Sequence, residues 1–143
     1  LARLHRKQGT AFGWDRDNTI GATPQPNGWW QDWVAFWREQ RLGYQLKLAA
    51  DRGYHGQLQA LGESLLARFP ALLDHAPTPS LLHGDLWSGN LSFTENGEPA
   101  IYDPATYFGD REAERCPQWI EDPSMAKGRM GEVNGKVGLK ILE

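Results

Sequence analysis

The sequence predicts a mainly α chain that carries a small β-hairpin, an α+β class. Three observations predict it. Two stretches in the first half, from Trp33 to about Asp51 and from Gln57 to Phe69, space their apolar residues at helical intervals. After Ser80 the pattern shortens to strand-like runs on either side of Asn96-Gly97, a type I′ hairpin signal. Between these regions "PALLDHAPTPS" carries three prolines, which break any long helix.

In chain order, Leu1 to Lys7 reads as the tail of a helix ended by Gly9. "FGWDRDNTIGATPQPNG", Phe12 to Gly28, reads as a long ordered loop, because Pro24 and Pro26 exclude a regular helix. Asp32 is placed to cap the helix that follows. Trp33, Phe36 or Trp37, Gln40 or Arg41, Tyr44 and Leu48 fall on one face of that helix, and Gly53 stops it. The second helix sets Leu58, Leu61, Leu65, Leu66 and Phe69 on its apolar side. "NLSFT", "ENGE" and "PAIYDP" then read as strand, turn and strand, with Asp85 before the first strand and Asp103 at the end of the second. "GDREAE" begins another helix. From Arg115 to Glu143 four glycines interrupt every periodicity, so this segment reads as a divergent, irregular tail behind a domain of residues 1–114.

Composition narrows the function classes. Of 143 residues, 40% are hydrophobic and 23% charged, which fits one soluble globular domain. A net charge of −3 with no basic run argues against nucleic acid or an anionic membrane as the main partner. No apolar run approaches membrane-spanning length. The single cysteine, Cys116, rules out an intrachain disulfide and fits a reducing compartment such as the cytoplasm. Five of the seven tryptophans crowd the first third of the chain. Such a group serves either as helix and core packing or as an aromatic wall for a sugar-like ligand.

The chemistry centres on "LLHGDLWSGN" and "AIYDPATYFGD". A phosphoryl-transfer site must orient a hydroxyl nucleophile and neutralise charge on the phosphates, with little covalent work for the protein. Asp85 is suited to accept the hydroxyl proton. Asn90, at the Asp-to-Asn interval of the kinase catalytic loop, can offer a carbonyl oxygen to magnesium, and Asp103 can reach the same ion from the hairpin. Each residue alone is equally consistent with an ordinary turn; the conjunction selects the site. His83 is expected to brace the loop by hydrogen bonds. His5, His55 and His75 have no metal-like spacing and read as solvated, and Cys116 has no catalytic partner.

These two stretches, with "GWDRDNTIG", "WVAFWREQRL" and "GDREAE", resemble the fructosamine (ketosamine) kinase family over Leu1 to Glu114. The resemblance implies the C-terminal lobe of a protein-kinase-like fold. It implies ATP- and Mg2+-dependent phosphorylation of a sugar hydroxyl on a small-molecule or protein-linked ketosamine, and so a role in protein deglycation. Carried over by position, Asp85 is the catalytic base and Asn90 and Asp103 are the magnesium ligands. Trp87 stacks on the sugar. Trp14 and Asp15, with Asp17 and Asn18, lie near the substrate side or buttress it.

Two departures stand beside the resemblance. No glycine-rich loop or strand lysine for ATP phosphates precedes the matched region, and no apolar helices follow Glu114. The chain as given is therefore expected to be an inactive, incomplete lobe. Two alternatives remain: a non-catalytic kinase remnant, and a phosphotransferase of the aminoglycoside or choline type.

Overall fold

The computed structural model describes residues 1–114. The expected irregular tail and Cys116 lie outside them. Helix α1 (Ala2–His5) leads into four short strands, β1 (Phe12–Trp14), β2 (Asn18–Ile20), β3 (Thr23–Gln25) and β4 (Gly28–Trp30). Helix α2 (Trp33–Trp37) passes through a π-turn over Arg38–Leu42 into α3 (Gly43–Asp51), and α4 (Gln57–Arg68) ends in a 3-10 turn over Phe69–Leu72. Strand β5 (Ser80–Leu82), the hairpin β6 (Leu91–Phe93) and β7 (Pro99–Ile101), and β8 (Tyr107–Gly109) complete the order, before a 3-10 turn over Arg111–Glu114. Among the described residues no helix is long and apolar enough to cross a membrane.

The segment expected as a loop from Phe12 to Gly28 is instead a run of three-residue strands joined by short turns. Strands β2 and β3 form a ribbon of their own, where Pro24 sits opposite Thr19. A two-stranded ribbon is all edge, so a proline without an amide hydrogen is tolerated there. Strands β1 and β4 join β8 and β5 in a four-stranded antiparallel sheet of order β4-β1-β8-β5.

Asp32 caps α2 as expected, accepting from the Ala35 amide at 2.7 Å. The helix expected to run unbroken to Asp51 contains the π-turn, closed by the Gly43 amide donating to the Arg38 carbonyl. Gly43 permits this, since a Cβ there would overlap that carbonyl. Next to it Arg41 turns inward, donating to the Pro26 carbonyl at 2.6 Å and the Asn27 side chain at 2.8 Å. Its guanidinium lies 4.1 Å from the Tyr107 ring centre and 4.5 Å from that of Phe36. Burial lowers its pKa from the ordinary value.

The core is Phe12, Trp33, Phe36, Leu82 and Tyr107, with Trp14, Trp30, Trp37 and Phe69 packed against it. Four of the five early tryptophans thus serve packing, while Trp29 is exposed. Helix α4 differs from its expected pattern: Leu58, Leu61 and Leu65 face outward. It approaches α3 through Gly62, where a Cβ would overlap Leu46.

The hairpin turn also differs in type. The Gly97 amide donates to the Thr94 carbonyl at 2.9 Å and the Thr94 amide to the Glu98 carbonyl at 2.8 Å. Gly97 has φ 76°, whereas Asn96 does not adopt positive φ. A type I′ turn needs positive φ at both central residues; here a type I turn is followed by a left-handed glycine.

Candidate functional site

Two pairings bring the site together. Leu82 at the end of β5 lies opposite Tyr107 at the start of β8. The antiparallel sheet therefore sends the 83–85 segment out, and takes the 103–106 segment in, at the same end. On the far side Leu91 lies opposite Ile101, and the Tyr102 amide donates to the Asn90 carbonyl at 3.2 Å. The Asp85–Asn90 loop and the Tyr102–Thr106 segment run alongside each other, fastened at both ends.

Asn90, buried, is the joint between them. Its amide nitrogen lies 2.9 Å from the Asp85 carbonyl oxygen, 3.2 Å from the Asp85 carboxylate and 3.4 Å from the Asp103 carbonyl oxygen. With both amide hydrogens directed at these oxygens, the carboxamide presents only its own oxygen to anything else. His83, also buried, spans the same gap: Nε2 lies 2.9 Å from the Tyr102 carbonyl oxygen. The Asp85 amide points at His83 Nδ1 at 3.4 Å, which assigns the ring proton to Nε2 as the donor.

Backbone constraints mark both acidic positions. Gly84 has φ 83°, and a Cβ there would overlap the Ala105 carbonyl oxygen. Asp103 is the one non-glycine residue at positive φ among the described residues, at 55°. It is exposed and precedes Pro104. Strain held at such a position is commonest where function demands it. The loop below Asp103 is anchored from the "DRDN" region. The Asn18 side chain donates to the Thr106 carbonyl at 2.9 Å and Gln25 to the Ala105 carbonyl at 3.0 Å.

Beside Asp85 is a cavity of about 230 Å³ lined in part by Trp87, Tyr107 and Glu114. Trp87 is half exposed, its ring lying over Gly89, where a Cβ would overlap it. Trp14 and Asp15 do not line this cavity. Trp14 packs with tilted rings against Phe108 at 5.6 Å and Trp29 at 6.4 Å between centroids, and exposed Asp15 pairs with Arg16 at 2.8 Å.

Two histidines expected to be solvated have carboxylate partners, His5 partly buried and His75 still exposed. His5 Nε2 lies 2.7 Å from Glu114 Oε2, and His75 Nε2 lies 2.8 Å from Asp110 Oδ2. The partners are 109 and 35 residues away in sequence, so no local spacing could reveal them. Glu114 was absent from the sequence-derived site for the same reason. His55 is exposed, as expected.

A family model described as fructosamine kinase matches residues 1–116. The chain belongs to the fructosamine kinase family. A probable ketoamine kinase of Synechocystis is 53% identical over 116 residues, covering 80% of this chain and 38% of that protein. A chloroplastic protein-ribulosamine 3-kinase of Arabidopsis thaliana is 46% identical over 122 residues, covering 83% and 37%. The solved structure of a "putative fructosamine-3-kinase" from Thermobifida fusca superposes with a TM-score of 0.72 at 34% identity, over 79% of this chain and 39% of that one. The chain thus spans well under half the length of these relatives. Its fold is the corresponding part of a kinase-like fold, helices with small antiparallel sheets.

Proposed function

We propose that this chain carries the catalytic loop of an ATP-dependent kinase that phosphorylates a sugar hydroxyl on ketosamines, and so contributes to protein deglycation in the cytoplasm. The observation that carries the reading is Asn90, whose single side chain ties the Asp85 loop to the Asp103 segment. Asp85 is the general base. It takes the proton from the substrate hydroxyl as that oxygen bonds to the transferred phosphorus and the bond to the departing ADP breaks. Asn90 contributes by holding the Asp85 carboxylate at 3.2 Å. Trp87, beside Asp85, offers an apolar face to the sugar. Trp14 and Asp15 enter as an outer buttress, Trp14 through Phe108, the chain neighbour of Tyr107 in the cavity wall.

The donor set fits magnesium. The Asp103 carboxylate and the Asn90 carboxamide oxygen are hard oxygen ligands. Among the described residues no group of three or more His, Cys, Asp or Glu could hold a metal by itself. Magnesium on phosphates takes one or two carboxylates from a protein, with the rest of its shell from phosphate oxygens and water. When bound, it neutralises charge on the phosphates.

The test is a graft of residues 1–114 into the Synechocystis ketoamine kinase in place of the matching segment. The graft is assayed for ATP-dependent phosphorylation of a fructosyl-amine and a ribulosyl-amine. Turnover should appear with magnesium and fall by roughly 10²–10⁴-fold in Asp85→Asn, the range for loss of a general base. Phosphorylation of an aminoglycoside or choline instead would move the chain to that class of phosphotransferase. A folded graft inactive on all of them would mark a non-catalytic remnant.

A further inference from the structure

Glu114 ends the last 3-10 turn, and its side chain is 2% exposed. A buried carboxylate needs partners for both oxygens. Oε1 accepts from the Gly84 backbone amide at 2.6 Å, and Oε2 meets His5 Nε2 at 2.7 Å. One carboxylate thus joins the first helix, the last turn and the residue before Asp85. Gly84 cannot relax against it from the other side, since its Cα faces the Ala105 carbonyl so closely that no side chain fits.

We propose that Glu114, held in place by His5, is a positioning residue for Asp85. Its charged bond to the Gly84 amide sets the plane of the His83–Gly84 peptide, one residue before the base. The inference rests on the kinase reading of Asp85 above. A carboxylate acceptor binds an amide about twice as strongly as a neutral one and at shorter range, so it holds the peptide to a narrower range of directions. Misplacing a reacting group by about 1 Å can cost on the order of 10²-fold in rate. Glu114 lines the cavity beside Asp85 yet serves as a support for the loop, so turnover should depend on it more than substrate affinity does.

Three variants separate this role from bulk stability. Glu114→Gln keeps an acceptor for Gly84 and a partner for His5 but removes the charge. Glu114→Ala removes both contacts. His5→Gln leaves the Gly84 bond and loosens its tether. In the 143-residue chain, labelled with 15N, the Gly84 amide proton should resonate far downfield, as charge-assisted donors do. It should move upfield in Glu114→Gln, further in Glu114→Ala, and least in His5→Gln. In the graft, kcat should fall about 10-fold in Glu114→Gln and about 100-fold in Glu114→Ala, with the ketosamine KM changed less than about 2-fold. A Gly84 resonance unmoved by Glu114→Gln overturns the proposal. So does an unchanged kcat, or a matching rise in KM, in an otherwise active graft. An inactive parent graft instead refutes the kinase reading, and with it any role for Glu114 in turnover, while the Gly84 resonance still reports the bond itself.

Discussion

His83 donates from Nε2 to the Tyr102 carbonyl at 2.9 Å, and so links the segment before the candidate base to the end of the hairpin. Both partners lie within the two loops that frame the site, and the imidazole is shielded from solvent. His83→Ala removes the donor and leaves a space between the loops. An unsatisfied carbonyl costs about 1–3 kcal/mol, and the cavity adds to it. His83→Ala should therefore lower the unfolding free energy by roughly 2–4 kcal/mol, while His83→Gln, which keeps a donor, loses less than half of that. Urea unfolding followed by tryptophan fluorescence measures both. Equal stability of the alanine variant and the parent would show that the link contributes nothing.

Two glycines at positive φ make a controlled pair. Gly84 has φ 83° with the Ala105 carbonyl against it, and Gly97 has φ 76° with open space around it. Alanine at 97 meets only the backbone penalty, about 1–2 kcal/mol. Alanine at 84 meets the same penalty and a steric overlap that the paired loops cannot easily yield to, so it should cost at least about 2 kcal/mol more. The same urea experiment checks the difference. Similar midpoints for the two variants would mean the 83–85 and 103–106 segments separate without resistance.

How far the sequence disclosed this arrangement follows from distance along the chain. The Asp32 cap is local, so it was legible: the cap and its acceptor amide are three residues apart. The hairpin was legible because Asn96-Gly97 separates two apolar runs, although the turn type was not, since Asn96 keeps ordinary φ. The β5–β8 pairing, which supplies half of the site's frame, joins strands of three residues each and left no periodicity to find. The same shortness hid β1 to β4, whose prolines and glycines resemble those of a loop. The family resemblance supplied the role proposed for Asp85. It could not show that Asn90 physically joins Asp85 to Asp103.

Asp103 combines an exposed carboxylate with φ 55°, a backbone angle that disfavours side chains. Glycine and alanine at this position therefore rank in reverse of their usual order. Asp103→Gly should be more stable than Asp103→Ala by about 1 kcal/mol. Both should lose magnesium-dependent turnover in the graft if the carboxylate is a ligand. Asp103→Asn keeps the shape without the charge, so its activity should need more magnesium, a pattern unlike that of Asp85→Asn. Kinetics at varied magnesium separate the two. Identical magnesium responses for the Asp85 and Asp103 variants would remove the division of roles between them.

His75 sits between Asp74, 3.1 Å from Nδ1, and buried Asp110, 2.8 Å from Nε2. The Asp74 bond first, and the Asp110 bond next, raise its pKa above the ordinary value of 6.5. Asp110 also holds the final 3-10 turn, accepting from the Glu112 amide at 3.1 Å and, through its carbonyl, from the Ala113 amide at 2.9 Å. The folded chain thus holds this proton more tightly than the unfolded chain. The contribution is complete below the unfolded value and is lost as pH rises through the folded one. The urea midpoint of the parent should therefore fall as pH rises from the ordinary imidazole value of 6.5 through the higher folded one, and fall less in His75→Gln. The other three histidines are common to both proteins, so the difference between the two pH profiles isolates His75. Asp74→Asn should reduce the slope as well, because its bond is the larger cause of the shift. Parallel profiles for the parent and His75→Gln would mean that the imidazolium adds no net stability, and that the 2.8 Å contact holds the turn equally well without charge.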